Sequence, residues 1–110
     1  MTEIMITRDK RGEIVKYQMT GHTGYGEAGS DIVCASVTTA ALTALNGLTE
    51  VVGVQVGYEV SDGYLECILP EELDESGRFG AKVLLDSMVL TFRNLEEQYR
   101  DYISITELEV

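Results

Sequence analysis

The chain has 110 residues, of which 19 are Asp or Glu and 8 are Lys or Arg, so its formal net charge is −11. Its length predicts one domain, residues 1–110, with a core that needs neither disulfides nor metal. The acidity argues against a nucleic-acid partner, which needs clustered Lys and Arg, and permits a basic protein or peptide. No continuous apolar run approaches the roughly 20 residues of a membrane span. No signal peptide is recognisable, so we expect a cytoplasmic protein with free thiols at Cys34 and Cys67.

The first third of the chain predicts a β-hairpin followed by a loop. Residues 3–7 and 14–20 have the composition of strands, and residues 8–13 supply turn chemistry between them. Residues 21–31 contain four glycines and no apolar period, which is typical of a flexible loop. These glycines are Gly21, Gly24, Gly26 and Gly29.

A buried helix is predicted over residues 32–48. Asp31 is a good N-cap residue, which places Cys34 at the third helical position, and Asn46-Gly47 offers a stop. Most of this helix is apolar or small on every side. We therefore expect a sheet to cover one face and a second helix or another subunit to cover another.

The second half predicts two strands, a helix and a closing strand. The strands span residues 51–60 and 63–69, an acidic loop led by proline follows, and the last strand spans residues 102–108. Cys67 lies on the core face of its strand. The helix spans residues 79–99, and apolar side chains recur along it at intervals of three and four. These side chains are Ala81, Leu84, Leu85, Met88, Phe92, Leu95 and Tyr99. The ββαββαβ order predicts an α+β fold, a two-layer sandwich of a mixed sheet and two helices.

Residues 21–38 combine features that suit thiol chemistry. The only histidine, His22, follows a predicted strand, and Cys34 lies in the predicted first turn of a helix. A thiol becomes a good nucleophile as the thiolate, which a helix N-terminus and a neighbouring imidazole both favour. Free amides in the same turn could hold the oxyanion of an acyl-transfer intermediate.

Each of these residues also has a simpler interpretation. A lone cysteine is usually a small buried hydrophobe, a lone aspartate at this place is usually a cap, and a glycine cluster is usually a loop. A zinc site could use His22, Glu27, Asp31 and Cys34, but no CxxC or HxxxH spacing accompanies them. A phosphate loop would need a GK[ST] ending, and the nearby carboxylates would repel phosphate.

The stretch GHTGYGEAGSDIVCASVTTA resembles the signature of the Prp family, the ribosomal-processing cysteine proteases of Firmicutes and related bacteria. The matching residues are Gly21-His22 and the run from Gly29 to Ala35. By this resemblance, Cys34 is the nucleophile, His22 the general base and Asp31 a supporting residue. Thr38 stands where the family commonly has serine, which keeps the hydroxyl.

The resemblance also implies a function. Family members are homodimeric two-layer α/β proteins that remove a short N-terminal extension from large-subunit ribosomal protein twenty-seven, cutting after an aromatic residue. The mechanism it implies places the oxyanion near the amides of Cys34 and Ala35, lets Thr38 touch the substrate backbone, and needs no metal or cofactor. The net charge of −11 suits a basic substrate.

Two further hypotheses use the same residues without proteolysis. The chain could be an acidic adaptor that docks a basic ribosomal protein, with His22 and Cys34 as loop supports. It could also be a thiol redox sensor, in which Cys34 is oxidised and Cys67 serves as the resolving thiol.

Overall fold

The structure, a computed structural model, describes residues 1–21 and 28–110, and for residues 28–30 it describes the backbone only. The helices are α1, Ala28–Asn46, and α2, Glu75–Gln98, and a π-helical turn, Gly47–Val52, follows α1. The strands are β1, Thr2–Arg8; β2, Ile14–Thr20; β3, Gly57–Ser61; β4, Tyr64–Ile68; and β5, Ile103–Glu109. The predicted ββαββαβ order and the α+β class are confirmed.

All five strands form one mixed sheet in the order β3-β4-β2-β1-β5. The β1–β2, β2–β4 and β3–β4 pairs are antiparallel, and β5 runs parallel to β1. Every second side chain points to the same face of a strand. Thr2, Ile4 and Ile6 of β1 are therefore buried under the helices, while Glu3 between them is exposed.

The two helices lie side by side on this face of the sheet. The side chains of Val33, Val37 and Ala41 in α1 are fully buried, and Phe92 of α2 is 1% exposed. The Tyr17 hydroxyl of β2 donates a hydrogen bond of 3.0 Å to the Ala41 carbonyl, which ties α1 to the sheet. The second helix that we expected beside α1 is thus α2.

The prediction of a strand over residues 51–60 is wrong in its first half. The helical path continues beyond Asn46 as the π-helical turn, so Val51 and Val52 are helical. It ends at Gly53, whose φ of 87° is left-handed and whose N–H donates to the Leu48 carbonyl. Gly47 does not stop the helix because it lies against the Leu84 side chain, where an added Cβ would come within 2.8 Å.

Helix α2 begins four residues earlier than predicted. The Asp74 carboxylate caps it by accepting a hydrogen bond of 2.7 Å from the Gly77 amide. An added Cβ at Gly77 would lie 3.0 Å from that carboxylate, so the glycine leaves room for the cap. The residues that looked like a loop are therefore the first turn of α2.

The expectation about membrane spans needs one correction. The helical segment Asp31–Val52 has 22 residues and a mean hydropathy of 1.5, which by length and composition suffices for a membrane span. A search for continuous apolar runs misses this segment, because serine and threonine interrupt its apolar residues. The same segment is the core helix that packs on the sheet, and core helices meet this criterion too.

The prediction that Cys67 lies in the core is confirmed. Its side chain is 0% exposed and lies opposite Tyr17 in the β2–β4 ladder. Burial raises the pKa of the Cys67 thiol to about 11, although the Tyr17 hydroxyl hydrogen bond partly opposes this rise. Burial, followed by the charge of Cys67, raises the pKa of Tyr17 well above its usual 10.

Alkaline pH is therefore expected to destabilise the fold. In the unfolded chain the Cys67 thiol loses its proton near its ordinary pKa of 9, whereas the folded chain keeps it to about 11. The unfolded state binds fewer protons over this range, so stability falls as pH rises from 9 to 11, by about 1–3 kcal/mol. Urea unfolding at pH 8, 9, 10 and 11 measures the loss, and Cys67→Ala should make it smaller. An equal loss in wild type and Cys67→Ala would contradict this assignment.

Candidate active site

The Cys34 thiol lies directly over Gly21, the residue that follows β2. A Cβ added to Gly21 would come within 2.6 Å of Cys34 Sγ, closer than real atoms approach. The Gly21 amide donates a hydrogen bond of 2.8 Å to the Gly63 carbonyl, in the turn between β3 and β4. The sulfur therefore occupies space that only glycine leaves open, at the end of the sheet where β2 ends.

Helix α1 starts earlier than predicted, which changes the surroundings of Cys34. Asp31 is not the N-cap but lies within the first turn, and Cys34 is the seventh residue counted from Ala28. The amides of Cys34 and Ala35 lie beyond the first turn, so they donate to carbonyls four residues back. These two amides therefore do not lie at the helix start, where the prediction had placed the oxyanion.

Cys34 itself is 6% exposed. Asp31 lies three residues before it, and residues at this spacing share a helix face. The half-buried Asp31 places its Oδ1 atom out of contact with solvent, and no hydrogen-bond partner for it is present among the described residues. The predicted proximity of Asp31 and Cys34 on one helix face agrees with this placement.

Thr38 lies one turn after Cys34, as expected. Its hydroxyl donates a hydrogen bond of 2.7 Å to the Cys34 carbonyl and lies 3.9 Å from Met19 Sδ. Such bonds to the carbonyl four residues back are common for helical threonine. In this structure the Thr38 hydroxyl supports the helix backbone at Cys34.

Sequence reasoning missed Thr2, which also reaches this site. Its side chain is 0% exposed, and its Oγ1 atom has no hydrogen-bond partner among the described residues. The same Oγ1 would lie 3.4 Å from a Cβ at Gly21. The alternation of β1 could have placed Thr2 on the core face beside Ile4 and Ile6, but nothing in the sequence placed it near Cys34.

Some predicted site residues lie outside the described residues. These are His22, Gly24 and Gly26. Gly29 belongs to the first turn of α1, so its assignment to the flexible loop is wrong. Gly21 is held by its bond to Gly63 and contacts the Cys34 thiol.

The positions of the two thiols bear on the redox-sensor hypothesis. Cys67 of β4 lies opposite Tyr17 of β2, whereas Cys34 of α1 lies over Gly21, four residues after Tyr17. Four residues of a strand span about 13 Å, whereas a disulfide needs Cα atoms within about 7 Å. Cys67 therefore cannot serve as the resolving thiol in this fold.

A metal site was considered for the same region. Among the residues that the structure describes, no group of three or more His, Cys, Asp or Glu side chains could hold a metal ion. Glu27, one of the four ligands considered from sequence, lies outside the described residues. The described part of the site thus offers Cys34 and Asp31 as isolated groups.

The family of the chain follows from comparison with known proteins. The sequence model described as "Cysteine protease Prp" matches residues 1–104. The chain belongs to the cysteine protease Prp family. The Ribosomal processing cysteine protease Prp of Bacillus subtilis (strain 168) is 31% identical over 108 residues, and the alignment covers 96% of each chain. The protein of the same description from Staphylococcus aureus is 23% identical over 107 residues, which cover 96% of this chain and 97% of the relative.

Solved Prp-like structures share the whole fold. The crystal structure of SMU.848 from Streptococcus mutans superposes with a TM-score of 0.86 at 26% identity, covering 100% of this chain and 99% of that one. The essential ribosomal processing protease Prp from S. aureus, solved in complex with a substrate peptide, gives a TM-score of 0.85 at 22% identity. That match covers 97% of this chain and 99% of the other. The two-layer fold of this chain is thus a Prp fold.

A sizeable cleft lies at the opposite end of the sheet from Cys34. Its volume is about 760 Å³, and its walls come from the start of β2, the loop after β4 and the first turns of α2. Charged side chains at its rim are paired with one another, such as Arg78 with Glu13 at 2.7 Å. The cleft contains none of the predicted catalytic residues, so its size does not identify the active site.

Gly21 offers a direct test of the site geometry. In Gly21→Ala the new Cβ would collide with Cys34 Sγ at 2.6 Å, so either the sulfur or the helix must move. We expect a loss of stability of about 1–3 kcal/mol and slower alkylation of Cys34 by iodoacetamide. Gly57→Ala is the matched control, because a Cβ there meets no atom closer than 4.0 Å. Equal alkylation rates in wild type and Gly21→Ala would mean that the thiol does not depend on this space.

Proposed function

We propose that this chain is a cysteine endopeptidase that removes the N-terminal extension of large-subunit ribosomal protein twenty-seven, cutting after an aromatic residue, and so supports ribosome assembly. The observation that carries the proposal is the Cys34 thiol held over Gly21, in a chain that belongs to the Prp family. The S. aureus relative, solved with a substrate peptide, supports a peptide as the ligand of this site. A non-catalytic adaptor would not need this placement of the thiol.

The proposed reaction is acyl transfer through Cys34. His22 takes the thiol proton, and the thiolate sulfur attacks the scissile carbonyl carbon to form a C–S bond. His22 then gives the proton to the amine nitrogen as the C–N bond breaks. Water attacks the thioester carbonyl, which releases the new C-terminal carboxylate and returns the thiol.

The start of α1 limits which backbone groups can serve the oxyanion. The amides of Cys34 and Ala35 are occupied within the helix, whereas the first turn of α1 has amides without helical acceptors. Asp31 lies in that first turn, where the helix dipole stabilises its negative charge. In this proposal Asp31 is a positioning residue, and Thr38 supports the helix backbone below the nucleophile.

Charge supports a basic substrate for this site. The formal net charge of −11 attracts a cationic peptide over the whole molecule. Ribosomal proteins are strongly basic, so their encounter with this chain is favoured and should weaken with added salt. A cytoplasmic location and the absence of direct nucleic-acid binding follow from this substrate and this charge.

We also propose that the chain is a homodimer. The outward positions of the helix layer carry the exposed apolar side chains Ile32, Val83 and Leu90, which are 55%, 50% and 64% exposed. A groove of about 610 Å³ between α1 and α2 is lined mainly by small residues such as Ala35, which permit close approach of another surface. Burial of these side chains by a second copy would remove apolar area from water.

Catalysis is expected to depend on Cys34 and His22 and not on the fold alone. Cys34→Ala removes the nucleophile at a cost of about 1 kcal/mol, and Cys34→Ser replaces it with a poorly activated hydroxyl. Both variants should bind the extension peptide and fail to cut it, and His22→Ala should also abolish cutting. Thr38→Ala should only weaken activity. Mass spectrometry of the peptide after incubation measures the cut.

The control for this experiment is Cys67→Ala, which removes the other thiol far from the site. Under conditions in which Cys67→Ala is folded, it should cut the peptide at a rate close to that of wild type. Cutting by Cys34→Ala at the native rate would refute the protease proposal and favour the acidic adaptor.

The dimer proposal predicts a mass of twice the 12.1 kDa chain in light scattering at micromolar concentration. Leu90→Arg should return a monomer, because a charge at the centre of an apolar contact is costly to bury. Val51→Arg is the control, since Val51 is 82% exposed and lies on the π-helical turn. A wild-type chain that scatters as a monomer would refute the homodimer.

A further inference from the structure

The Cys34 thiol does not lie at the helix start, where the sequence had placed it. Cys34 lies two turns into α1, so the free amides of the helix start are not at its sulfur. Whatever stabilises the thiolate besides His22 must therefore come from another element of the fold.

The unsatisfied polar atoms of the structure cluster at this site. Among the described residues, the buried side-chain oxygen and nitrogen atoms without a hydrogen-bond partner are Thr2 Oγ1 and Asp31 Oδ1. Buried polar groups in folded proteins are nearly always paired, so an unpaired one needs an explanation. Both atoms belong to residues next to Cys34, one on the strand below it and one on its own helix.

Thr2 is placed to reach the sulfur. Its position in β1 is directly across the strand pair from Gly21, because Glu3 pairs with Thr20 in the same register. A Cβ on Gly21 would lie 2.6 Å from Cys34 Sγ and 3.4 Å from Thr2 Oγ1, so the two atoms are at most about 6 Å apart. Rotation of either side chain to another staggered position moves its polar atom by about 2.5 Å, so a rotation that turns the two atoms toward each other closes most of this separation.

We propose that Thr2 is a positioning residue for catalysis, whose hydroxyl donates a hydrogen bond to the Cys34 thiolate. The inference rests on the proposed function, in which Cys34 is the nucleophile. A hydroxyl can donate to a thiolate, whereas a neutral thiol accepts only weakly. The bond therefore forms when the thiol ionises, and the Thr2 hydroxyl, which has no partner among the described residues, is its open donor. Because Thr2 is 0% exposed, water cannot accept the hydrogen bond of its hydroxyl in place of the thiolate.

Charged residues also lie on the elements that meet at this end of the sheet. Asp31 lies on α1, His22 follows β2 in the sequence, Asp62 lies in the turn between β3 and β4, and Asp101 precedes β5. Thr2 adds a neutral donor, so its effect does not depend on its own titration.

The test uses the full chain and three variants. Thr2→Val keeps the shape and removes the hydroxyl, Thr2→Ser keeps the hydroxyl, and Thr20→Val is the matched control on the exposed face beside Gly21. Iodoacetamide alkylation of the peptide that carries Cys34 is followed from pH 5 to pH 10. The same variants are assayed for kcat and KM on the extension peptide and for thermal stability.

Thr2→Val should shift the alkylation profile to higher pH and slow alkylation at pH 7 about tenfold, as expected for the loss of a hydrogen bond to a charged group. It should lower kcat by a similar factor with little change in KM. Its Tm should stay level or rise, because valine removes an unpaired buried hydroxyl. Thr2→Ser and Thr20→Val should behave as wild type.

An alkylation profile in Thr2→Val that coincides with wild type would overturn the proposal, as would equal losses in Thr2→Val and Thr2→Ser. A fall in Tm that accompanies the loss of reactivity in Thr2→Val would assign the hydroxyl a structural role instead. The alkylation experiment uses no substrate, so it tests the role of Thr2 independently of cleavage. Failure of wild type to cut the extension peptide would refute the proposed function but not the role of Thr2.

Discussion

The packing of α1 against the sheet is the interaction on which the site depends. The helix is fully buried along Val33, Val37 and Ala41, and the Tyr17 hydroxyl fixes its height and register by bonding to the Ala41 carbonyl. With this register set, Cys34 meets β2 at Gly21, where the missing Cβ leaves space for a sulfur atom. The proposed nucleophile is thus placed by the core of the protein and not by a loop.

This arrangement separates two tasks along one helix. The middle of α1 supplies stability through small and branched apolar side chains that pack on the sheet, and its N-terminal third places Cys34 at the end of the central strand β2. The two cysteines illustrate the division, since Cys67 is sealed in the core beside Tyr17 with a pKa raised to about 11 by burial. A thiol there is chemically inert near neutral pH. Cys34, which is 6% exposed, lies instead over Gly21, where β2 has ended.

The polar atoms left unpaired at this site follow from the same packing. A core that holds Cys34 against Gly21 also buries Thr2 Oγ1, which has no partner in the described structure. Such a group lowers the stability of the folded protein. Together with Asp31, it makes the surroundings of Cys34 the part of the described fold in which polar groups are least satisfied, a common property of catalytic sites.

The sequence by itself determined the element order, the two-layer class, the core position of Cys67 and the presence of a helix around Cys34. Apolar residues at every second position indicate a strand, and apolar residues three and four apart indicate a helix, so these patterns predict both the element and its buried face. The motif around Cys34 indicated the family, which the comparison with known proteins confirmed. The predicted starts of both helices were wrong for a local reason, because Gly29 and Gly77 suggest loops but lie in first helical turns. The N-cap of α2 is Asp74, whereas Asp31 lies inside α1 and does not cap it.

Only the tertiary structure decided what lies next to the thiol. The contact of Cys34 with Gly21, the reach of Thr2 from β1 and the separation of the two thiols each join residues far apart in the chain. Such contacts depend on strand register and on the height of a helix above the sheet, and neither quantity is encoded in a local pattern. The sequence singled out Cys34 as the candidate nucleophile, whereas the packing of α1 on β1 and β2 determined which residues lie next to it.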